Sequence, residues 1–196
     1  MLKAAKAYAG FLKGKNVSGS ENKYLRRIEY QKTGVRQHLC LLLAARDAPK
    51  SAFDTLTEAI GRLVFLYAIT STQWNQLESA LPEWSKKLRT IKSDSAMVSF
   101  IDSELDPKVA EKVPEFCERL KNIEKVPRRL QMYLLASLSQ YLAEQLGRGS
   151  GFEAHFKEKL SIEHVYPQNP ARAAAPGRDR LRKTEPWLRI LRRGRG

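Results

Sequence analysis

Along residues 2–13, Leu2, Ala5, Tyr8, Ala9 and Leu12 recur at three- and four-residue steps, and Gly14 ends the pattern. That spacing predicts a short amphipathic helix. A polar loop, KNVSGSEN, follows, and a second helix is expected over 21–31, ending before Gly34. The stretch VRQHLCLLLAAR (35–46) is apolar almost all round, the pattern of a helix buried on every side. Pro49 closes the loop after it, and Ser51 is placed to cap the next helix. The clearest amphipathic pattern is 52–69, where Phe53, Leu56, Ile60, Leu63, Val64 and Tyr67 share one face.

A further helix is expected from Ser71 or Thr72 with Trp74, Leu77, Leu81, Trp84 and Leu88, kinked or restarted at Pro82. Asp94 is a candidate cap for SAMVSFIDSEL, and DPKVAEKV has the form of a cap followed by proline at the first helical position. Pro114 is expected to interrupt that helix before EFCERLKNIEK. Pro127 opens the last long helix, with Leu130, Leu134, Leu138, Tyr141 and Leu142 on one face and Gly147 as its stop. Tryptophans and tyrosines at this spacing are expected in the core rather than as ligand-stacking groups.

The pattern changes after GRGS (147–150), a flexible joint and the best boundary in the chain. LSIEHVYP alternates Leu160, Ile162 and His164 against Ser161, Glu163 and Val165, which predicts a strand ending at Pro167. PQNPARAAAPGR is a proline-punctuated loop. RDRLRKTEPWLRILRRGRG is expected to form a short basic helix or no regular structure. No internal repeat of fixed period is present. The expected organisation is a mainly α, multi-helix domain over 1–147, a distinct segment over 148–170, and an Arg-rich tail over 171–196.

Composition sharpens this in one respect. The 196 residues are 42% hydrophobic, enough for a packed core, and carry a formal net charge of +14. Residues 171–196 hold eight Arg and one Lys against Asp179 and Glu185, a net of +7, and the other 170 residues carry the remaining +7. Nucleic acid is the usual partner of such a field. Arg178, Arg180, Arg182, Arg189, Arg192 and Arg193 are the candidate phosphate-binding residues. With Trp187 as its single aromatic, the tail lacks the interleaved rings of a single-strand stacking platform.

Cys40 and Cys117 lie in apolar patterns with no C-x-x-C pair, so buried, reduced thiols are expected. LCLLLAA and LVFLYAI are too short to span a bilayer. Lys3 and Lys6 break the apolar core that a signal peptide needs. A cytoplasmic protein without membrane contact is the expectation.

Among the chemical motifs, no G-x-S-x-G, Walker or dinucleotide loop is present. Three histidines exist: His38, within an apolar helix and so a core or helix-surface residue, His155, and His164. An imidazole at a strand end can take a proton from water or a hydroxyl. Cutting a phosphodiester would also require a divalent metal, with ligands from other positions.

SIEHVYPQNP (161–170) resembles the His-x-x-Pro signature of the C-terminal nuclease domain in GmrSD-like, modification-dependent (type IV) restriction endonucleases. In that family the signature opens a His-Asn-His-type, ββα-metal nuclease fold. The helical segments FDTLTEAIGRLVFLYAITSTQWNQLESALPEW and VPRRLQMYLLASLSQYLAE are similar to the family's all-α region. The resemblance implies that His164 is a general base, that Glu163, Pro167 and Gln168 are its motif neighbours, and that residues 148–170 begin a nuclease domain. It implies DNA as partner and Mg or Mn as cofactor in complete relatives, with metal-dependent phosphodiester cleavage as the activity. A separate nucleotide-hydrolysing subunit or another copy of the chain is a further expected partner.

The departures are equally specific. The family's signature is followed by a Gly-Asn-Leu-like stretch and later Asn and Lys positions that complete the metal and phosphate site. Residues 171–196 contain neither Asn nor His. The family's N-terminal nucleotide-hydrolysing domain has no counterpart, and the Arg/Ala/Gly/Pro bias of 171–196 is that of a GC-rich gene read out of frame. The expectation is a chain truncated at both ends, inactive as a nuclease by itself and binding no metal stably. The alternative is a non-catalytic basic DNA-binding or helical interaction module.

Overall fold

The computed structural model describes residues 2–31, 34, 36–147, 160–164 and 189–193. It is mainly helical, as the periodicity predicts. Eight α-helices follow one another: α1 (Leu2–Phe11), α2 (Lys23–Gln31), α3 (His38–Ala44), α4 (Lys50–Ile69), α5 (Leu81–Thr90), α6 (Asp94–Phe100), α7 (Asp106–Lys121) and α8 (Arg128–Gln145). Short 3₁₀ turns stand at Trp74–Leu77 and Ile123–Lys125, and a π turn at Ile101–Leu105 joins α6 to α7. Two strands, β1 (Leu160–His164) and β2 (Arg189–Arg193), pair antiparallel. The chain divides into two compact units, residues 1–131 and 132–196. The joint expected at 147–150 lies, after Gly147, outside the described residues.

In the first unit the core is built around α4. Phe53, Leu56, Ile60, Leu63, Val64 and Tyr67, the face read from spacing, are all buried. Helices α2, α3, α6 and α7 pack on this element. At Gly61 the absence of a side chain lets α2 approach, since a Cβ there would stand 3.4 Å from Cγ1 of Ile28. The α2 residue Gln31 donates from Nε2 to the Gly61 carbonyl at 3.2 Å. On the α7 side, the rings of Phe65 and Phe116 meet edge-on at 6.2 Å. A smaller apolar cluster joins Ile69 to Val126 and Leu130.

Helix ends follow local chemistry, with four departures from the sequence expectation. Ser51 is not a cap. Pro49 precedes the first turn of α4, and the Ser51 hydroxyl donates to the Asp94 carboxylate at 2.7 Å, tying α4 to α6. The cap of α6 is Ser93, whose Oγ accepts from the Ala96 N–H at 3.2 Å, so Asp94 is the first helical residue and not the cap. An acid there still meets the positive helix terminus favourably.

Pro114 does not interrupt its helix, because α7 continues from Asp106 to Lys121 around it. An interior proline forfeits one backbone hydrogen bond and costs about 3 kcal/mol. Here it stands on the exposed side of α7, while Phe116 anchors the other side against Phe65. Pro107 acts differently. α7 runs on directly from the π turn, so Asp106 is its first residue and not a cap, and Pro107 follows it within the first turn. Pro82 restarts the chain as α5, in whose first turn it sits.

Two burial expectations change. Cys40 and Cys117 are exposed rather than buried. On α3 the neighbours Leu39, Leu41 and Leu42 fill the core, which turns Cys40 outward on a seven-residue helix. On α8 the buried positions are Leu130, Gln131, Tyr133, Ala136 and Gln140, whereas Leu138, Tyr141 and Leu142 are exposed. Both sets satisfy three- and four-residue spacing, and the one containing a small Ala and a polar Gln is the one covered.

The basic segment expected to be helical or irregular contains β2 instead. Arg189, Leu191 and Arg193 alternate with Ile190 and Arg192 over a stretch too short for a stable helix.

Candidate functional site

His164 ends β1 and Glu163 precedes it. The ladder sets Arg189 opposite His164, Ile190 opposite Glu163, Arg192 opposite Ser161 and Arg193 opposite Leu160. The backbone register thus sets the position of the candidate base opposite that of one candidate phosphate-binding arginine, at one end of the ladder. Pro167, Gln168, Arg178, Arg180, Arg182 and His155 lie outside the described residues, as does the strand expected over 165–167. Among the described residues, no group of three or more His, Cys, Asp and Glu could hold a metal ion. The histidine, glutamate and arginine positions of the ladder are not by themselves a divalent-metal ligand set.

His38 is a different kind of histidine. It opens α3, is buried, and its ring lies 6.3 Å from that of Trp74 in an edge contact. Its Nδ1 has no hydrogen-bond partner among the described residues. Burial, and after it the nearby Arg36 charge, lower its pKa to about 4. A neutral imidazole packed on an indole is a core residue, in line with its apolar sequence context.

Glu104 was not legible as a special position. It accepts from Trp84 Nε1 at 2.7 Å and also from the Lys87 ammonium. The hydrogen bond from Lys87, then that from Trp84, holds its carboxyl below the usual range. Its place in the π turn makes the group a tie between α5 and the α6–α7 connection. All three polar groups are satisfied by one another, so the cluster has a complete structural role.

Charge along the first unit also escapes a single total. Residues 1–36 contain nine Lys and Arg against Glu21 and Glu29, a net of +7, while residues 37–170 hold seventeen of each sign and are neutral. A running count, rather than a division at the tail, exposes this. The loop between α1 and α2, residues 12–22, carries Lys13 and Lys15 against Glu21, and most of the remaining charge sits on the two helices. Gly14 adopts φ +68°, and a Cβ there would stand 2.5 Å from Arg26 Cγ of α2. The Asn22 N–H donates to the Gly14 carbonyl at 2.9 Å, and the backbones of Lys15 and Glu21 pair as an isolated antiparallel β-bridge. Inside the loop, Asn16 Oδ1 accepts from the Ser18 hydroxyl at 2.7 Å and the Ser20 N–H at 3.1 Å. Asn22 then caps α2, its Oδ1 accepting from the N–H groups of Tyr24 and Leu25, while its Nδ2 donates to Asp54 of α4.

The fold thus defines a mainly helical protein with a strand pair, and no helix among the described residues is long and apolar enough to cross a membrane. No protein-family model, curated protein or solved structure matches the chain.

Proposed function

We propose that the chain is a DNA-directed protein of the GmrSD-like nuclease type, in which residues 148–170 begin a ββα-metal domain and His164 occupies the general-base position. The observation that carries this is the string Glu163-His164-x-x-Pro167-Gln168, at the end of a strand and after a long helical region. His164 would take a proton from the attacking water. Glu163, Pro167 and Gln168 are its neighbours in the motif. Mg or Mn would supply charge stabilisation at the phosphate, but the described residues do not make up a ligand set for it. Residues 171–196 offer neither Asn nor His. On this reading residues 1–196 by themselves are a poor nuclease.

The test is incubation of the full chain with supercoiled plain and modified plasmid in Mg²⁺ or Mn²⁺. The expected result is nicking no faster than that of the His164→Ala variant. Robust His164-dependent cutting by the chain alone would overturn the incomplete-site reading and establish an active nuclease.

A second reading, DNA binding without catalysis, is favoured by the net charge of +14. It predicts steeply salt-dependent binding that weakens when Arg189, Arg192 and Arg193 become Gln. A third, a helical module that docks a nucleotide-hydrolysing subunit or another copy, is favoured by the exposed apolar positions of α8.

A further inference from the structure

We infer that the α1–α2 hairpin is a phosphate-backbone contact surface for duplex DNA, separate from the Arg-rich tail. Lys3, Lys6, Lys13, Lys15 and Lys23 are all exposed, and the first four have no acidic partner among the described residues. Arg26 is already paired with Glu21 at 2.6 Å, and Lys23 lies over the Tyr24 ring at 4.8 Å, so the arginine serves more to hold the loop than to reach outward.

The loop presenting Lys13 and Lys15 is built rather than slack. Gly14 backs onto Arg26, buried Asn16 fastens the turn from inside, and Asn22 fixes its far end to α2 and α4. Cations held around one turn lose less freedom on meeting a polyanion than cations on an unstructured chain. The neutrality of residues 37–170 means that this charge is not a share of a generally basic body.

The chemistry favours nucleic acid over a lipid surface. An interfacial membrane helix needs a free apolar face. The residues of α1 that are buried are Ala7 and Phe11, with Phe11 stacked on Phe53 at 5.5 Å, and not the face read from spacing. Leu2, Ala5, Tyr8 and Ala9 of that face are exposed instead, but only Leu2 and Tyr8 among them are large, which is less than the apolar stripe an interfacial helix inserts. Lysines are point charges on flexible stems, suited to phosphates rather than to bidentate reading of bases, so the contact is sequence-independent.

The inference shares with the proposed function only the choice of DNA, and needs neither His164 nor a metal. Its test is fluorescence anisotropy of the full chain with a labelled duplex of about twenty base pairs across a salt series, each contact adding about 0.9 to the slope of log K against log salt. The variant Lys13→Gln/Lys15→Gln/Lys23→Gln should lower the slope by about 2 to 3 and weaken binding roughly tenfold or more. A control of equal charge loss, Lys108→Gln/Lys121→Gln/Lys125→Gln, should leave the slope nearly unchanged. Lys3→Gln/Lys6→Gln, on the solvent side of α1, gives a second variant should the loop variant melt early by circular dichroism.

Equal effects of the control and the loop variant would overturn the inference. So would the absence of duplex binding by the unaltered chain, or lysine-dependent binding only to phosphatidylserine vesicles. His164→Ala should bind as the unaltered chain does. Failure of the nuclease assay with an intact slope effect would therefore reject the catalytic reading alone.

Discussion

Helices α4 and α8 have similar lengths, twenty and eighteen residues, and each carries apolar residues at helical spacing, yet their fates differ. On α4 the periodic face is buried completely, with Leu56, Ile60, Leu63 and Val64 at 0% exposure. On α8 the periodic leucines and tyrosine at 138, 141 and 142 are half or more exposed, and Leu146 is exposed to 67%. Periodicity says which residues share a face. Burial needs a second surface to meet that face, and α4 has four helices packed on it.

The sharpest way to break this comparison is truncation in α4. Leu63→Ala removes a fully buried side chain, and the lost transfer energy plus the cavity should cost about 3 to 5 kcal/mol. Urea denaturation checks it, and a loss below about 1 kcal/mol would mean that the α4 face is not the centre of the core.

Acid should act next in size, through His38. Its pKa is lowered to about 4 in the folded chain from the ordinary 6.5, so the unfolded state binds the proton first. Stability is therefore complete above pH 6.5 and falls as pH drops through 6.5 toward 4. The loss is about 3 kcal/mol if the imidazole alone is responsible. The groups that bear on the ring are Arg36, whose charge acts in the same direction as burial, and the Trp74 indole against it. Urea midpoints between pH 7 and pH 4.5 should show a decline that His38→Leu flattens. An unchanged pH profile in that variant would assign the decline to other groups.

The same contrast explains what the sequence disclosed. The α4 face was legible because six large apolar residues left one solution, and all six are buried. On α3, HLCLLLA is apolar on nearly every side, so its pattern could not say that Cys40 would be turned outward. On α8 two overlapping sets satisfy the same spacing, and the choice between them depends on a partner surface that local sequence does not contain. Capping was misassigned by one residue at Asp94 because Ser93 and Asp94 are both good caps, and only geometry separates them. Pro114 was overread because tertiary packing at Phe116 outweighs a local breaker. At the candidate site, the string at 161–168 and the basic character of 189–193 were legible. Their pairing, His164 opposite Arg189, was not, since long-range register leaves no local signal.

An intermediate effect is expected at Asn22, which joins the basic loop to the α4 core. Its side chain caps α2 and donates to Asp54, and it is buried. Asn22→Ala should cost about 1 to 2 kcal/mol, the usual worth of a cap. Asn22→Asp keeps the acceptor but sets a second carboxylate against Asp54, so it should recover little of that loss near neutral pH. Lowering the pH toward 4 would open a gap between the two variants in favour of Asn22→Asp if repulsion is the reason.

The smallest effect belongs to α8 and tests the comparison from its other side. Leu142→Ala on the exposed face should change the stability of the isolated chain by less than about 0.5 kcal/mol, because surface substitutions away from packed features rarely do more. Leu138→Glu/Leu142→Glu should be similarly tolerated, since charge at exposed positions meets no desolvation cost. If this double variant also abolishes self-association seen by sedimentation, the exposed leucines form a contact between copies rather than an idle surface. A destabilisation of the monomer approaching that of Leu63→Ala would instead mean that α8 buries this face in the folded chain. The difference between α4 and α8 would then vanish.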